Sequence, residues 1–156
     1  MGTFDELSIG DVFASPARTL SEADVATLIA VGGYTHPLFT DPAYAAASPF
    51  GRTPVPGEGI LHLMGGLVEQ TERFDDTVIA LVGLDEVRFR APAFAGDVVR
   101  CEIEVLAKEP KGERGLLTMA WRCVKDGGPI GEAGRARNAA DEVLCEARAL
   151  MLFRLS

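Results

Sequence analysis

The spacing of apolar residues changes once along the chain, near residue 76, and this change limits the folds that the chain can adopt. Before it, apolar side chains in residues 57–71 recur every three or four positions, which predicts a helix. After it, four stretches rich in Val, Leu, Ile and Phe are typical of strands: residues 78–89, 98–107, 116–124 and 143–153. In the second stretch Cys101, Ile103 and Val105 alternate with Arg100, Glu102 and Glu104, which predicts a half-exposed strand with the first three toward the core. One long helix followed by four strands predicts an α+β domain with an antiparallel sheet around the helix.

The helix predicted over residues 57–71 has one wide apolar face. That face is formed by Ile60, Leu61, Met64, Leu67, Val68 and Thr71, with Leu63 at its edge. Glu58 and His62 fall on the opposite side, so His62 is assigned to the surface or to a subunit contact. Gly65 and Gly66 lower the stability of the helix, and we expect them to let another backbone approach closely.

A shorter helix is predicted to begin near Thr19 and to end at the glycine pair 32–33. Its first backbone N–H groups can be satisfied by a capping box, formed either by Thr19 with Glu22 or by Ser21 with Asp24. Both arrangements fit the sequence equally well at this point.

The remaining segments are predicted as loops and turns. Residues 34–57 contain five of the nine prolines and are predicted as a functional loop with a short helix near residues 42–47. Turns between antiparallel strands are expected at residues 95–97 and 108–115. Residues 125–141, rich in Gly and small residues, form either a long hairpin connection or a bulged extension.

Composition narrows the function. The 156 residues fit one domain over residues 1–156, and the net charge of −8 argues against nucleic acid, because phosphate binding needs clustered Lys and Arg. No stretch reaches the ~18 apolar residues of a membrane span, and we expect neither a membrane partner nor a signal peptide. Three widely spaced cysteines without a C-x-x-C motif are typical of free thiols, so we expect a cytoplasmic protein.

Short strings along the chain resemble, in order and spacing, the MaoC-like dehydratase family. Residues 33–41, GYTHPLFTD, are similar to the family motif G-D-x-N-P-[LIV]-H-x-D, and Phe50-Gly51-Arg52 and Pro56-Gly57 follow as in the family. Residues 87–98 are similar to its r-F-x-x-P-v-x-x-G-D-t string, and residues 9–13 to its opening strand. The resemblance covers nearly the whole chain. It implies a hot-dog fold, and a homodimer or a dimer of dimers in which two sheets join and each site lies at the subunit interface.

The resemblance also implies a chemistry. Members of the family add water reversibly across the double bond of a trans-2-enoyl thioester, with an Asp and a His that handle the water and the proton. A backbone N–H at the N-terminus of the central helix, here at Gly57 or Glu58, polarises the thioester carbonyl. No cofactor is implied, and the two histidines and scattered acids show no metal-ligand spacing.

The acid–base pair of the family is absent from this chain. The family's Asp falls on Tyr34 and its His on Phe39. Phenylalanine has no ionisable group, and a tyrosine with an ordinary pKa near 10 is a poor base at neutral pH. Removing positioned acid–base groups typically lowers a rate by roughly 100- to 10,000-fold, so the usual hydratase mechanism is not supported.

Tyr34, His36 and Glu58 are the candidate catalytic groups that remain. His36, at the family's Asn position, is the only nearby imidazole, a group suited to proton transfer near neutral pH, or it could order the loop by a hydrogen bond as Asn would. Tyr34 could donate a proton or a hydrogen bond, or form an aromatic wall of the pocket. Glu58 lies near the carbonyl end of the site, although a carboxylate at a helix N-terminus is also stabilising by itself.

The predicted substrate pocket comprises Phe39, Asp41, Pro56, Gly57 and Gly59. Phe39 would give the pocket an apolar wall and make it drier. Asp41 matches the last Asp of the family motif, yet such a residue more often caps the helix that follows it. Pro56, Gly57 and Gly59 belong to the start of the central helix.

Three functions are compatible with this sequence. We favour an enzyme acting on an acyl-CoA or acyl-carrier-protein thioester, by dehydration, hydration or a related reaction such as cyclisation, in a biosynthetic pathway. The second function is a catalytically silent subunit that pairs with an active homologue in a heteromer. The third is a module that holds an acyl chain or a small aromatic molecule without reacting.

Overall fold

The structure, a computed structural model, describes residues 3–74, 77–125 and 142–155. In chain order its elements are β1 (Val12–Ala14), β2 (Arg18–Thr19), α1 (Glu22–Gly32), α2 (Pro37–Thr40), α3 (Pro42–Ala47), α4 (Gly57–Glu69), β3 (Val78–Phe89), β4 (Val98–Lys111), β5 (Arg114–Lys125) and β6 (Glu142–Arg154). The strands form one antiparallel sheet in the order β1-β4-β5-β6-β3, and β2 also pairs with β4. The four strands predicted after residue 76 are confirmed. The segment predicted as a hairpin connection or bulge lies outside the described residues, except for Lys125 at the end of β5.

Helix α4 packs across one face of this sheet, against β4, β5 and β6. Its buried residues are Gly59, Ile60, Met64, Leu67 and Val68, and Leu61 and Leu63 pack against the same core from half-buried positions. Each fully buried apolar side chain contributes roughly 1.5–3 kcal/mol, so this face holds the helix in place. The predicted apolar face and the predicted α+β, hot-dog arrangement are both confirmed.

The expectation for Gly65 and Gly66 is wrong. A Cβ built on either residue meets nothing within 4 Å, because this part of α4 turns both positions toward open space. The close approach occurs instead in the first turn of the helix. A Cβ at Gly57 would lie 3.2 Å from ring carbons of Phe89 on β3.

The prediction that β4 is half-exposed is also wrong over its first half. Cys101, Ile103 and Val105 face the core as predicted, but Arg100 and Glu102 on the other face are 0% and 7% exposed. Strand β4 has neighbours on both edges, since β1 and β2 pair with one side and β5 with the other. On this outer face Arg122 of β5 pairs with Glu102 at 3.4 Å and with Glu104 at 3.0 Å.

The turn predicted over residues 108–115 is much shorter in the structure. Strands β4 and β5 continue through it, with Lys108 opposite Leu117 and Lys111 opposite Arg114. Only two residues remain for the loop, and Gly112 adopts the φ of +64° that a two-residue hairpin needs.

The segment before α4 largely follows the sequence signals. Helix α1 begins with the capping box of Ser21 and Asp24, one of the two alternatives, and it ends at Gly33 in a left-handed conformation. Helix α3 matches the predicted short helix. The four-residue helix α2 is not predicted by the sequence, because so short an element shows no hydrophobic period.

The three cysteines lie side by side in the core, on three neighbouring strands. Cys101 is opposite Cys123, and Cys123 is opposite Cys145. All three are free and buried, which confirms the prediction of free thiols. Burial raises the pKa of Cys101 well above its usual value, that of Cys123 to about 12 and that of Cys145 to about 11. At neutral pH they are therefore protonated and behave as small apolar side chains.

Among the described residues, no helix is both long and apolar enough to span a membrane. The longest helix, α4, has 13 residues. In the same part of the chain, no group of three or more His, Cys, Asp and Glu side chains is placed to hold a metal ion.

Candidate functional site

A cavity of about 490 Å³ opens at the N-terminus of α4. Its walls come from the loop before α4, from the first turn of α4, from α2 and from the end of β3. The lining residues are Leu38, Phe39, Phe50, Pro54, Val55, Gly57, Glu58, Ile60, Phe89, Arg90, Ala91 and Pro92. We call this space the helix cavity. Most of its surface is apolar, with Glu58 and Arg90 as its charged groups.

The first turn of α4, which lines this cavity, has two backbone N–H groups without an acceptor among the described residues. Pro56 is the N-cap and provides no side-chain hydrogen bond, and its carbonyl accepts the N–H groups of Gly59 at 2.9 Å and Ile60 at 3.2 Å. Among the described residues, no group accepts the N–H of Gly57 or of Glu58. Free N–H groups at the positive end of a helix dipole favour a negatively charged oxygen.

The absence of a side chain at Gly57 is what allows the end of β3 to close over the helix. The ring of Phe89 lies against this backbone position, and a Cβ there would be 3.2 Å from its Cδ1 and Cε1 atoms. Any larger residue would push the ring outward. Gly59, the other glycine of this turn, is buried against Leu28 and Val55.

Tyr34 and Glu58 form a hydrogen-bonded pair beside the two donors. The Tyr34 hydroxyl donates to Glu58 Oε2 at 3.0 Å, across 24 residues of sequence. This hydrogen bond to Glu58 raises the pKa of Tyr34 above 10, with smaller contributions from burial and from the negative charge of the carboxylate. The phenol is therefore protonated throughout the neutral range and acts as a donor.

The ring of Tyr34 is held from two sides. Its centroid lies 5.0 Å from that of Phe39, which lines the helix cavity. On the other side it packs on the bare backbone of Gly32, where a Cβ would be only 2.7 Å from Tyr34 Cδ2. Tyr34 does not line the helix cavity itself, but it contacts Glu58 and Phe39, which do.

His36 lies at the surface, as the N-cap of α2. Its Nδ1 accepts the backbone N–H of Leu38 at 3.1 Å, and its ring meets the edge of Tyr44 with centroids 5.7 Å apart. His36 therefore makes the kind of hydrogen bond expected if it orders the loop as Asn would. His36 does not line the helix cavity, and its catalytic role stays a prediction.

Asp41 caps the helix that follows it. Its Oδ1 accepts the N–H groups of Ala43 at 3.0 Å and Tyr44 at 3.3 Å, so the capping interpretation fits its contacts. Asp41 is absent from the lining of the helix cavity. Its assignment to substrate binding also stays a prediction.

Two residues that sequence reasoning missed complete the rim of the cavity. Arg90 donates from Nε at 3.0 Å and from Nη2 at 2.6 Å to Glu146 Oε1. Arg90 and Glu146 are 56 positions apart in the sequence. The sequence pattern does not show that they pair, because their contact depends on the register between β3 and β6. Phe89 was read as part of a strand, and only its contact with Gly57 connects it to the site.

The sequence of the chain matches a known family. Residues 6–120 match the sequence profile described as MaoC like domain. The chain belongs to the MaoC-like family. The predicted resemblance is therefore confirmed, and the helix cavity is the candidate site of a MaoC-like hydratase or dehydratase homologue.

Three known proteins illustrate the similarity. The (R)-specific enoyl-CoA hydratase of Aeromonas caviae is 30% identical over 120 residues, which are 77% of this chain and 86% of the hydratase. Protein MaoC of Klebsiella aerogenes is 32% identical over 112 residues, 71% of this chain but only 32% of that longer protein. The solved structure of the monoamine oxidase regulatory protein from Archaeoglobus fulgius has a TM-score of 0.81 and 26% identity, covering 99% of this chain and 95% of its own.

Replacing Gly32 with Ala should break the hydrogen bond between Tyr34 and Glu58, because the new Cβ collides with the tyrosine ring. The pKa of Tyr34 should then fall toward its ordinary value near 10. The chain has two tyrosines, so an alkaline titration of tyrosine absorbance resolves this change. Gly65→Ala, where a Cβ meets open space, is the control. An unchanged titration in Gly32→Ala would contradict the geometry.

Proposed function

We propose that the chain acts on an acyl-CoA or acyl-carrier-protein thioester, by addition or elimination of water or a related reaction such as cyclisation. The observation that carries the proposal is the Tyr34–Glu58 pair, 3.0 Å from hydroxyl to carboxylate, beside two free N–H groups at the start of α4. The similarity to a hydratase named for enoyl-CoA supports the substrate class. The site differs from the family pattern because it lacks the usual Asp and His.

The thioester carbonyl would bind at the N-terminus of α4. The N–H groups of Gly57 and Glu58 donate to its oxygen and stabilise the negative charge that develops there when C2 becomes nucleophilic. Donors fixed by the helix need no reorganisation during the reaction. Phe39, Phe89 and Ile60 give the rest of the cavity apolar walls, and a less polar surrounding strengthens these hydrogen bonds.

Glu58 is the proposed acid–base group. Its carboxylate takes a proton from a water molecule while the water oxygen bonds to C3, and the electron pair of the C2–C3 double bond moves toward C2 and the carbonyl oxygen. Glu58 then returns the proton to C2, so the sum is the addition of H and OH. Elimination follows the same steps in reverse. The Tyr34 hydroxyl holds the carboxylate in place by its hydrogen bond and stays protonated because its pKa is raised.

His36 and Asp41 are proposed to act by ordering the segment that carries Tyr34 and Phe39. Both side chains cap short helices, α2 and α3, through backbone N–H groups. Phe39, at the family's His position, supplies an apolar wall and no proton. Pro56 and Gly59 set the start of α4, which presents the two backbone donors.

We propose that the chain forms a homodimer through the edge of β3. Within the part of the chain that the structure describes, this strand ends the sheet. Apolar side chains along it are exposed, Ile79 at 47%, Val82 at 55% and Phe89 at 51%. An edge strand of this length with exposed apolar residues is an unsatisfied pairing surface. Since Phe89 also lines the helix cavity, a partner at this edge would cover the cavity.

A catalytically silent subunit is the second candidate function. Two observations favour it: Phe39 has no proton to transfer, and the Nδ1 atom of His36 is already used by the Leu38 N–H. In that case the β3 edge would pair with an active homologue, and turnover would require co-expression of both chains.

We also propose a cytoplasmic location. The three cysteines are free, although they lie directly opposite one another on paired strands. Thiols in this state are typical of a reducing compartment.

Glu58→Gln should lower kcat for hydration of crotonyl-CoA by about 100-fold or more, because the base is removed without changing its shape. Tyr34→Phe should lower kcat by about ten-fold, because the carboxylate loses its positioning hydrogen bond. His36→Asn should stay within about two-fold of wild type, since Asn caps a helix as well as His does. The measurement is the loss of enoyl-thioester absorbance by the purified protein.

His62→Gln serves as the control, since His62 is exposed on α4 and does not line the helix cavity. Equal rates in wild type and Glu58→Gln would contradict the assignment of Glu58. A strong loss of kcat in His36→Asn would instead assign proton transfer to His36. No turnover by the wild-type chain alone, with turnover beside a homologous partner, would establish the silent-subunit alternative.

Val82→Glu should convert the dimer to a monomer, because it places a charge on the apolar edge of β3. Sedimentation velocity measures the change. Val12→Glu is a matched control, since Val12 is 54% exposed on β1 at the opposite edge of the sheet. A wild-type monomer, or a dimer that survives Val82→Glu but not Val12→Glu, would contradict the proposed interface.

A further inference from the structure

A second cavity, of about 470 Å³, lies on the face of the sheet opposite α4. Its charged lining consists of four arginines and two glutamates, which are Arg88, Arg90, Arg122, Arg148, Glu86 and Glu146. We call it the arginine cavity. Arg90 lines both this cavity and the helix cavity, so the two adjoin at that residue.

The register of three strands brings these side chains together. Arg88 on β3 lies opposite Glu146 on β6, and Glu146 lies opposite Arg122 on β5. Arg148 follows two residues after Glu146 and therefore points to the same face. The cluster is a consequence of strand pairing, and sequence spacing alone gives no sign of it.

Two of the four arginines donate hydrogen bonds to carboxylates. Arg122 contacts Glu102 at 3.4 Å and Glu104 at 3.0 Å. Arg90 binds Glu146 through two of its nitrogens. These pairs neutralise the carboxylates next to the cavity and fix its walls.

The other two arginines keep most of their donors available. Arg88 donates from Nη1 to its neighbour's carbonyl, that of Val87, at 2.8 Å, and it pairs with no carboxylate among the described residues. Among the described residues Arg148 has one ion-pair contact, to Glu86 at 3.7 Å, and the Glu86 side chain is 68% exposed. In a chain of net charge −8, two open guanidinium groups facing one cavity are a local site for an anion.

We propose that the arginine cavity binds a phosphate group of the carrier that brings the acyl thioester to the helix cavity. This inference rests on the proposed function. A guanidinium group presents paired N–H donors that match two oxygens of a phosphate, and Arg88 and Arg148 supply two such groups. The thioester end would reach α4 past Arg90, where the cavities meet. Coenzyme A and a carrier protein's phosphopantetheine arm both offer this phosphate chemistry.

Glu86 gives the site a feature that opposes the anion. It lies in an irregular part of β3, where the register with β6 shifts between Asp85 and Arg88, and it adopts a φ of +52°. Non-glycine residues rarely adopt this conformation, and bulges of this kind often redirect side chains beside binding sites. The carboxylate competes with a phosphate for Arg148, so its removal should tighten binding.

The test is a binding titration that does not depend on turnover. Isothermal titration calorimetry measures the binding of each probe directly. The probes are coenzyme A, 4′-phosphopantetheine and pantetheine, at constant ionic strength. We expect coenzyme A to bind at least about ten-fold more tightly than pantetheine, and the double variant Arg88→Gln/Arg148→Gln to lose that difference. Phosphopantetheine binding as tightly as coenzyme A would point to the carrier-protein arm as the source of the phosphate.

Two further variants separate charge from fold. Arg114→Gln, at the exposed hairpin between β4 and β5, should bind all three probes as wild type does. Glu86→Gln should bind coenzyme A more tightly, a gain that a damaged fold would not produce. Equal affinities for coenzyme A and pantetheine in wild type, or unchanged affinity in the double variant, would overturn the proposal.

Turnover distinguishes this failure from failure of the proposed function. Arginine-dependent binding of coenzyme A without hydration of crotonyl-CoA would support the phosphate site and contradict the proposed reaction. Normal hydration with an unchanged KM for crotonyl-CoA in the double variant would support the proposed reaction and contradict the phosphate site. A raised KM for crotonyl-CoA, with an unchanged KM for crotonyl-pantetheine, would support both.

Discussion

The packing of α4 against the central strands is the constraint on which the rest of the molecule depends. Ile60, Met64 and Leu67 anchor the helix on β4, β5 and β6, and this fixes where its first turn can lie. At that turn Gly57 lets Phe89 close over the backbone. Gly57 and Glu58, whose N–H groups have no acceptor among the described residues, line a largely apolar cavity. The position of the two N–H donors therefore depends on the core packing of α4 and on the absence of a side chain at Gly57.

Family members with an Asp and a His place their acid–base groups on the segment before the central helix. In this chain that segment carries Tyr34 and Phe39 at those positions, and the proposed acid–base group is Glu58 in the first turn of α4. Glu58 is held by the Tyr34 hydroxyl, whose ring rests on Gly32 and Phe39. The proposed function moves the acid–base group from the loop to the helix while keeping the carbonyl site.

The sequence predicts the fold well because its signals are local: the period of α4, the alternation of the strands and the capping box of α1. It predicts the family because short strings keep their order. The contacts that define the site are harder to foresee, since Tyr34 with Glu58 and Arg90 with Glu146 join residues 24 and 56 positions apart. The alternation of residues in β4 also does not predict that Arg100 and Glu102 are buried, because it gives no information about what covers the outer face of the sheet.

The central claim is that the N-terminus of α4 polarises the carbonyl of a bound thioester. Isotope-edited infrared spectroscopy of crotonyl-CoA labelled with ¹³C at the carbonyl, bound to the Glu58→Gln variant, tests it directly. Two N–H donors at a helix N-terminus should move the carbonyl stretch to a lower frequency than in water, because they weaken the C=O bond. A band at the aqueous frequency, or at the higher frequency of an apolar solvent, would contradict the account.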